Sequence, residues 1–359
     1  MKLLSLNFKN FRNLENKRID FDGETTVLTG NNAQGKTNIL EGIYFISTGR
    51  PIKSDTEEEV MTFGDQVVSV DGIIEGRDEE ELKLSTVIVK SEDGLRKKLL
   101  VNDIPRRLVD YGGNLIVVFF KPEDIYLITG SPSGRRDYID SAISQVDKDY
   151  RKNLNAYQKV VTQKNRLLKS IREGLSKIDE LDFWNQRQLE LGKELQIKRR
   201  AFFEKINSFE KILGEFEYKY LENLISEVRL EELKQREVYA AMSLAGPHRD
   251  DFSFSEDEKD LAKYGSRGEQ RTAVLDLKIA ELSYIEEETG ERPVLLLDDI
   301  FSELDESHRE HVLSLAKLQQ TIIASVEYDD YLKKKLEGSQ IFYVKNGVIS
   351  KLAVSTFKA

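Results

Sequence analysis

The chain has 359 residues, of which 39% are hydrophobic and 33% are charged, and its formal net charge at pH 7 is −10. It contains no cysteine, which excludes disulfides, a thiol nucleophile and thiolate metal sites. No apolar run reaches the length that spans a bilayer and the first residues have no signal-peptide pattern, so we expect a cytoplasmic protein of two domains.

The acidic balance is unevenly distributed along the chain. Residues 148–213 hold 16 Lys and Arg against 9 Asp and Glu, so this segment is basic and the remainder is strongly acidic. A basic segment on an acidic chain can still bind a phosphate backbone, because the contact is local and screening is short-ranged. A solvated charged helix is the other interpretation that the pattern allows.

The first part of the chain reads as strands that lead into a phosphate loop. Segments 3–13 and 19–23 are strand-like, and a short buried strand at 25–28 precedes two glycines separated by four residues and followed by Lys-Thr. Glycines let backbone N–H groups approach a polyphosphate, Lys36 supplies a positive charge, and the Thr37 hydroxyl suits Mg²⁺. A helix that starts at the loop would direct its N-terminus at the phosphates. The predicted nucleotide-binding residues are Gly30, Asn31, Asn32, Ala33, Gln34, Gly35, Lys36, Thr37 and Asn38.

Strand patterns continue to about residue 120, where helical patterns replace them. Residues 66–101, with turns at 71–72, 76–78 and 92–94, predict an antiparallel meander, and the apolar run at 115–120 predicts a buried strand. A proline-free stretch with helical spacing then predicts an inserted pair of long antiparallel helices. The predicted domains are therefore 1–123 with 238–359, and a helical lobe at 124–237.

Two further segments carry polar residues beside predicted helices and strands. Ser266 is a suitable N-cap for a helix from 272 to 282, and Gly268 leaves amide groups at that helix start open to an anion. The apolar run at 293–297 ends in two acids, as a buried strand that delivers carboxylates would. We predict that Asp298 holds Mg²⁺ and that Asp299 orients or activates the attacking water.

The phosphate loop, the Ser-x-Gly-x-Gln signature, the Leu-Leu-Leu-Asp-Asp run and the Ser-Glu-Leu-Asp at 302–305 resemble, in this order, an ABC-type ATPase head. The long helical insertion resembles the SMC-like DNA-repair branch of that superfamily. Segments 131–136 and 246–251, which contain Pro-Ser-Gly-Arg-Arg and Gly-Pro-His-Arg-Asp, are similar to the RecF family of bacterial DNA replication and repair proteins. The fold class that this resemblance implies is α/β, an ABC-type ATPase head of mixed sheets with an inserted all-helical lobe.

The resemblance also implies a function. ATP and Mg²⁺ are the implied cofactors, and the implied assembly is an ATP-dependent homodimer in which the signature of one subunit contacts the γ-phosphate held by the other. The implied role is ATP-dependent binding of single- and double-stranded DNA at gaps and stalled forks, where the protein helps RecO and RecR to load recombinase and supports the SOS response. The implied nucleotide contacts beyond the loop are Asn10, Arg12, Ser266, Gly268, Gln270 and Asp305, and the catalytic set is Lys36, Ser266 and Asp299.

The sequence departs from the pattern of the wider superfamily at Asp299 and after the predicted strand at 321–326. Asp299 stands where relatives usually have Glu, so we expect slow hydrolysis, because the shorter carboxylate reaches its water less directly. The resemblance implies a weak, DNA-stimulated ATPase in which hydrolysis acts as a timer. No histidine follows the predicted strand at 321–326, so we assign no histidine to the γ-phosphate. His248 lies in a Pro-anchored turn, where a turn residue bonded to the backbone is an equally good interpretation. The DNA-contact candidates, chosen by charge alone, are Arg135, Arg136, Lys152, Lys159, Arg166, Lys198, Arg199 and Arg200.

An SMC-like structural DNA tether or a break-sensing ATPase is the alternative function. The insertion is on the order of 100 residues, and an antiparallel pair of that size would span only about 60 to 70 Å at 1.5 Å per residue. A nuclease would need a further acidic metal cluster, and a transporter subunit would need a membrane partner; the sequence favours neither.

Overall fold

The computed structural model describes residues 1–52, 56–76, 80–326 and 330–352. Its strands are β1 (Lys2–Lys9), β2 (Lys17–Asp20), β3 (Thr25–Thr29), β4 (Val67–Glu75), β5 (Glu81–Ser91), β6 (Gly94–Val101), β7 (Ile104–Arg106), β8 (Val117–Phe120), β9 (Phe216–Leu221), β10 (Asp251–Glu256), β11 (Lys259–Asp260), β12 (Val294–Asp298), β13 (Thr321–Ser325), β14 (Gln340–Lys345) and β15 (Val348–Lys351). Its helices are α1 (Lys36–Thr48), α2 (Leu108–Tyr111), α3 (Tyr126–Thr129), α4 (Pro132–Val146), α5 (Lys148–Arg172), α6 (Leu181–Ser208), α7 (Glu227–Ala240), α8 (Leu261–Tyr264), α9 (Arg267–Thr289), α10 (Glu306–Ala316) and α11 (Asp330–Lys335). Two compact units result: Met1–Asp124 with the described residues from 285 onward, and Ile125–Tyr284.

The first unit contains a sheet of strand order β15-β14-β3-β13-β12-β8, in which all pairs except β14 with β15 are parallel. Every residue of β8, β12 and β13 is buried. Burial on both faces explains why these strands are continuous apolar runs in the sequence. The carboxyl ends of parallel strands meet at one edge, so the segments that follow β3 and β12 lie at the same edge of this sheet.

The second sheet of this unit is antiparallel, with the order β2-β1-β4-β5-β6-β7, and it includes the predicted meander. The turn predicted at 76–78 lies mostly outside the described residues. Helix α1 packs against strands of both sheets, and the Phe11 ring lies 5.8 Å from that of Phe8 and 5.7 Å from that of Phe45. A Cβ at Gly42 would come within 2.3 Å of the Phe8 ring, so a glycine at this position of α1 permits its close approach to β1.

The second unit is built on the antiparallel pair α5 and α6. Contacts between the two helices run in opposite directions along the chain: Lys198 pairs with Asp147 at 2.7 Å, and Lys164 donates to Gln188 at 2.8 Å. The predicted helix pair is therefore present. With 25 and 28 residues, each helix is about 40 Å long, so the arm is shorter than the predicted span.

The second unit also contains a sheet that the sequence analysis does not predict. Strand β9 falls inside the range predicted as all-helical, and it pairs with β10. Its alternating burial is a period-2 signal, but the strand has only six residues within a long stretch of helical spacing, which hides it. Because β10 and most of α9 belong with β9, this unit extends to Tyr284 rather than ending at 237.

Buried ion pairs connect the helices of the second unit. Lys164 on α5 pairs with Glu237 on α7 at 2.7 Å, with exposed side-chain fractions of 0% and 1%. Arg199 on α6 pairs with Asp140 at 2.7 Å and with Asp250 at 2.9 Å. Such pairs tolerate burial only when their hydrogen bonds are satisfied, so they fix the relative positions of the elements that carry them.

Candidate nucleotide-binding site

The loop between β3 and α1 has the backbone geometry that a phosphate loop requires. Gly30 and Gly35 have φ of 145° and 112°, and Ala33 has φ of 59°. A Cβ at Gly30 would lie 2.3 Å from the Val344 carbonyl oxygen, so only glycine fits there. The loop is thus a cradle of backbone N–H groups at the N-terminus of α1, which suits a polyphosphate.

Lys36 lies within this cradle. Its side chain is buried, and its Nζ donates to the carbonyl oxygens of Gly30 at 2.8 Å and Asn31 at 3.0 Å. Burial lowers the pKa of Lys36, and the carboxylates of Asp299 and Asp298 oppose that shift. The sequence therefore places one cation at the centre of the loop, with two acids close enough to influence it.

Thr37 and Asp298, the two predicted Mg²⁺ ligands, are in contact. The Thr37 hydroxyl donates to Asp298 Oδ1 at 3.0 Å, across 261 residues of sequence. A hydroxyl and a carboxylate are hard oxygen donors, and Mg²⁺ in nucleotide sites is held by one or two such protein groups together with phosphates and water. No cluster of three or more His, Cys, Asp or Glu suited to a metal exists among the described residues. Thr37 and Asp298 fit Mg²⁺, which would supply charge neutralisation to the phosphates when bound.

Asp299 has an unusual backbone conformation at the end of β12. Its φ is 50°, its N–H donates to the Ala324 carbonyl at 2.9 Å, and its Oδ1 accepts the Val326 N–H at 2.9 Å. Both contacts anchor the residue to the end of the neighbouring strand β13. The carboxylate is thus held in a fixed position beside Asp298.

The predicted contacts Asn10 and Arg12 have partners within the first unit. Both have positive φ, 52° and 54°, and Asn10 Nδ2 donates to the Val67 carbonyl at 3.2 Å. Arg12 Nε pairs with the Glu41 carboxylate on α1 at 2.8 Å. These contacts hold the β1–β2 connection against α1, and a role toward phosphates remains a prediction for both residues.

The signature lies in the second unit, at the start of α9. The Ser266 N–H donates to Glu269 Oε2 at 2.6 Å and the Glu269 N–H donates to Ser266 Oγ at 3.3 Å, which is a reciprocal capping box. The hydrogen bond from the Ser266 backbone holds the pKa of Glu269 below its usual range. Sequence reasoning did not single out Glu269, although Ser-x-x-Glu before a helix is the signal for this motif.

The other predicted members of this group differ in their surroundings. A Cβ at Gly268 would meet only Ser266 Oγ, at 4.0 Å, so this position is open. The Gln270 side chain is buried and its Nε2 donates to the Leu261 carbonyl at 2.8 Å, which secures α8. Asp305, in the first unit, caps α10 through the His308 N–H at 2.9 Å and pairs with His308 Nδ1 at 2.7 Å.

The DNA-contact candidates differ in their burial and in their bonding partners. Arg199 is buried between Asp140 and Asp250, which contradicts its predicted contact with DNA. Arg135 forms a bidentate pair with Asp251, with Nε–Oδ1 of 2.5 Å. The exposed Lys198 and Arg200 also form ion pairs, with Asp147 and Glu222. Lys152, Lys159 and Arg166 are exposed along α5 and have no ion-pair partner among the described residues, whereas Arg136 donates to the Asp250 carbonyl at 2.9 Å. Charge alone could not separate paired from unpaired cations.

Both ring nitrogens of His248 form hydrogen bonds within the second unit. Its Nε2 donates to the Ser243 carbonyl at 3.1 Å and its Nδ1 accepts from the Tyr157 hydroxyl at 2.8 Å. Burial lowers the pKa of His248 to about 4, so it is neutral at pH 7. The backbone-bonded turn residue is therefore the interpretation that the structure supports.

The fold and the sequence of this chain are similar to those of known proteins. The fold is similar to that of an SMC head bound to the C-terminal winged-helix domain of ScpA, with a TM-score of 0.52 at 16% identity, over 99% of this chain and 98% of that one. This likeness shows that the chain has the fold of an SMC head. The family profile described as RecF/RecN/SMC N terminal domain matches residues 2–350.

More similar relatives narrow the class. The chain is 35% identical to the DNA replication and repair protein RecF of Agathobacter rectalis, over 97% of this chain and 99% of that one, and 35% identical to RecF of Lachnoclostridium phytofermentans, over 98% and 100%. A solved structure of the recombination mediator protein RecF with ATP matches with a TM-score of 0.86 at 32% identity, over 98% and 97% of the two chains. The chain belongs to the RecF family. The predicted resemblance and the predicted α/β fold class are confirmed, except that the inserted lobe predicted as all-helical contains strand β9.

No helix among the described residues combines the length and the apolar character that crossing a membrane needs.

Proposed function

We propose that this protein is an ATP-dependent DNA-binding recombination mediator. It acts at single-stranded gaps and stalled forks, helps to load recombinase onto single-stranded DNA together with RecR and RecO, and supports replication, repair and SOS induction in the cytoplasm. The observation that carries the proposal is the pairing of Thr37 with Asp298 at 3.0 Å beside the phosphate loop, in a chain similar over nearly its full length to a RecF solved with ATP.

ATP binds with its phosphates in the loop from Gly30 to Asn38. Backbone N–H groups and the N-terminus of α1 contact the phosphate oxygens, and Lys36 exchanges its carbonyl partners for phosphate oxygens of higher charge. Thr37 and Asp298 are the protein ligands that would hold Mg²⁺. Asp299, fixed by Val326, accepts a proton from the attacking water and so sets the rate of hydrolysis.

Dimerisation is the proposed consequence of ATP binding. Ser266 and Gly268 at the start of α9 contact the γ-phosphate bound by a second copy, because an exposed helix start with an unobstructed glycine suits an anion. Glu269 lies at the same helix start, and its negative charge opposes phosphate binding. The contact between the helix start of one copy and the γ-phosphate of the other is therefore weak. A stable dimer needs both such contacts, and so both nucleotides, which favours a dimer that closes and opens reversibly.

Helix α5 is the proposed DNA contact of the second unit. From residue 150 to 172 it contains seven Lys and Arg and no Asp or Glu. Lys152, Lys159 and Arg166 recur every seven residues, so they project from one exposed face at intervals of about 10 Å. A basic stripe without interspersed acids suits a phosphate backbone better than a helix with alternating charges.

A structural DNA tether is disfavoured by the dimensions of the arm. Helices α5 and α6 are each about 40 Å long, and their connection at 173–180 carries no further coiled segment. An arm of this length can hold DNA close to the protein, but it is too short to link distant segments of DNA.

The test is DNA binding by fluorescence anisotropy with ATP, with ADP and without nucleotide, for the wild type and for Lys36→Ala. We expect ATP to tighten binding in the wild type and to have no effect in the variant, since the loop loses its central cation. Equal binding by the wild type in all three conditions would contradict the proposal. It would leave a protein partner as the target that the nucleotide controls.

A further inference from the structure

The turn between β14 and β15 lies against the phosphate loop. Asn346 and Gly347 form this two-residue turn, with φ of 47° and 72°. A type I′ hairpin turn requires positive φ at both of these positions. The Asn346 N–H donates to Gln34 Oε1 at 2.8 Å, and the Gly347 N–H donates to the Gln34 carbonyl at 2.9 Å. A turn 312 residues further along the chain thus binds both the side chain and the backbone of one loop residue.

Asn13, between β1 and β2, contacts the same residue. Its Nδ2 donates to the Gln34 carbonyl at 3.2 Å, and its Oδ1 accepts from Asn38 Nδ2 at 2.8 Å. The Gln34 carbonyl therefore accepts two donors from two separate segments. Gln34 completes the arrangement by donating its Nε2 to the Asn32 carbonyl at 3.2 Å.

The three segments are packed without space for another carbon atom. A Cβ at Gly347 would lie 2.1 Å from the Asn13 carbonyl oxygen, and a Cβ at Gly35 would lie 2.8 Å from Asn13 Oδ1. Main-chain oxygen cannot move away as the end of a flexible side chain can. A change in the turn is therefore transmitted to Asn13 and to the loop.

These contacts fix the direction of the peptide group between Gln34 and Gly35. In a planar trans peptide the C=O and the N–H point in opposite directions. Because the Gln34 carbonyl is held toward Gly347 and Asn13, the Gly35 N–H is held away from them. A phosphate loop binds its anion through N–H groups whose directions are set in advance, since no binding energy is then spent on orienting them.

We propose that the β14–β15 turn and Asn13 are positioning elements of the nucleotide site, which act through Gln34 and do not themselves contact ATP. This inference rests on the proposed function, because it presumes that the loop binds ATP. It assigns a role in nucleotide affinity to a surface hairpin that carries none of the sequence motifs of the site.

The test compares Gly347→Ala with Gly338→Ala in the full chain. Both glycines have positive φ, 72° and 87°, but a Cβ at Gly338 would meet nothing within 4 Å. The two variants therefore share the backbone strain and differ in the contact with Asn13. ATP affinity with Mg²⁺ is measured by calorimetric titration, and the unfolding midpoint in urea is measured for each variant. We expect Gly347→Ala to bind ATP about tenfold more weakly and Gly338→Ala to bind as the wild type does. Because only the Cβ added at Gly347 meets a main-chain oxygen, Gly347→Ala should also have the lower midpoint, and its ATP affinity is measured in the absence of urea, where the variant is folded.

The outcomes separate the inference from the function on which it rests. Equal ATP affinity in Gly347→Ala and the wild type, or an equal loss in both glycine variants, would overturn the positioning role alone. Absence of ATP binding in the wild type would overturn the proposed function and the inference with it. Asn13→Ala removes the second donor to Gln34 without altering the turn, and we expect it to weaken ATP binding as well. If Gly347→Ala does not fold, unchanged affinity in Asn13→Ala overturns the inference.

Discussion

The Thr37 hydroxyl on α1 and the Asp298 carboxylate at the end of β12 are 3.0 Å apart. Two strands of one parallel sheet, β3 and β12, bring them to the same edge with only β13 between. Asp299 follows directly, but its carboxylate is bonded to the backbone of Val326 beyond β13. The two adjacent acids thus have different surroundings, in keeping with the different roles proposed for them in metal binding and in activation of water.

Asp299→Asn separates these two roles. The amide oxygen of Asn can still accept the Val326 N–H, so the local structure is kept while the basic carboxylate is lost. We expect ATP affinity within about twofold of the wild type and hydrolysis slower by about a hundredfold or more. Phosphate release and ATP titration measure the two quantities. Hydrolysis at the wild-type rate would show that Asp299 is not the base.

Ser266→Arg tests the dimer. A bulky cation in place of the capping hydroxyl fills the start of α9, where the second copy's γ-phosphate is proposed to bind. We expect sedimentation with ATP to show a dimer for the wild type and a monomer for the variant. Ser208→Arg, at an exposed serine near the end of α6, adds the same charge in the same unit and should dimerise. A dimer in Ser266→Arg, or a wild-type dimer without nucleotide, would contradict the mechanism.

The basic face of α5 can be tested by removing its three unpaired cations. We expect the triple variant Lys152→Gln, Lys159→Gln, Arg166→Gln to bind DNA more weakly, and the salt dependence of its binding constant to fall by about 0.9 per lost phosphate contact. The matched control is Arg187→Gln, Lys198→Gln, Arg200→Gln, which removes the same charge from cations already paired with acids. Equal losses in both variants would mean that only net charge matters.

The buried pair of Lys164 and Glu237 makes a prediction about stability. Lys164→Met leaves Glu237 buried without its partner, so we expect the free energy of unfolding to fall by about 3 to 5 kcal/mol. Adding Glu237→Leu removes the unpaired charge and should restore most of that loss. Lys169→Met, from an exposed pair with Glu173, should change stability by less than about 1 kcal/mol. Urea denaturation measures all three variants.

His248 predicts a pH dependence. Its pKa in the folded protein is about 4, below the ordinary value of 6.5, so the unfolded chain takes up a proton first as the pH falls. The stability that the neutral imidazole contributes is complete above pH 6.5 and is lost as the pH falls toward 4. Between pH 7.5 and 5.5 we expect a loss of about 1 kcal/mol in urea denaturation, which His248→Gln should abolish. The same pH dependence in that variant would assign the effect to other groups.

The elements that could be predicted from sequence are those with a local signal. The phosphate loop depends on glycine spacing, and the buried strands β8, β12 and β13 are continuous apolar runs, so both are visible in the sequence. Strand β9 has an alternating pattern, but over only six residues within a stretch of helical spacing. The pairing of Arg199 with Asp140 and Asp250 depends on partners distant in the chain, and no local pattern indicates it. The contacts of Gln34 with Asn346 and Gly347 are of the same kind. They follow from the strand order, which sequence periodicity does not determine.

The position of β3 within its sheet has a consequence for folding of the protein during its synthesis on the ribosome. Its two neighbours, β13 (Thr321–Ser325) and β14 (Gln340–Lys345), are synthesised long after β3 (Thr25–Thr29), so β3 emerges with both edges unpaired. At a synthesis rate of about 5 to 20 residues per second, the strand waits roughly 15 to 60 s for its partners. During this interval the loop after β3 has no framework, and exposed strand edges invite wrong pairings. We expect nascent chains to need protection by chaperones until β14 has left the exit tunnel.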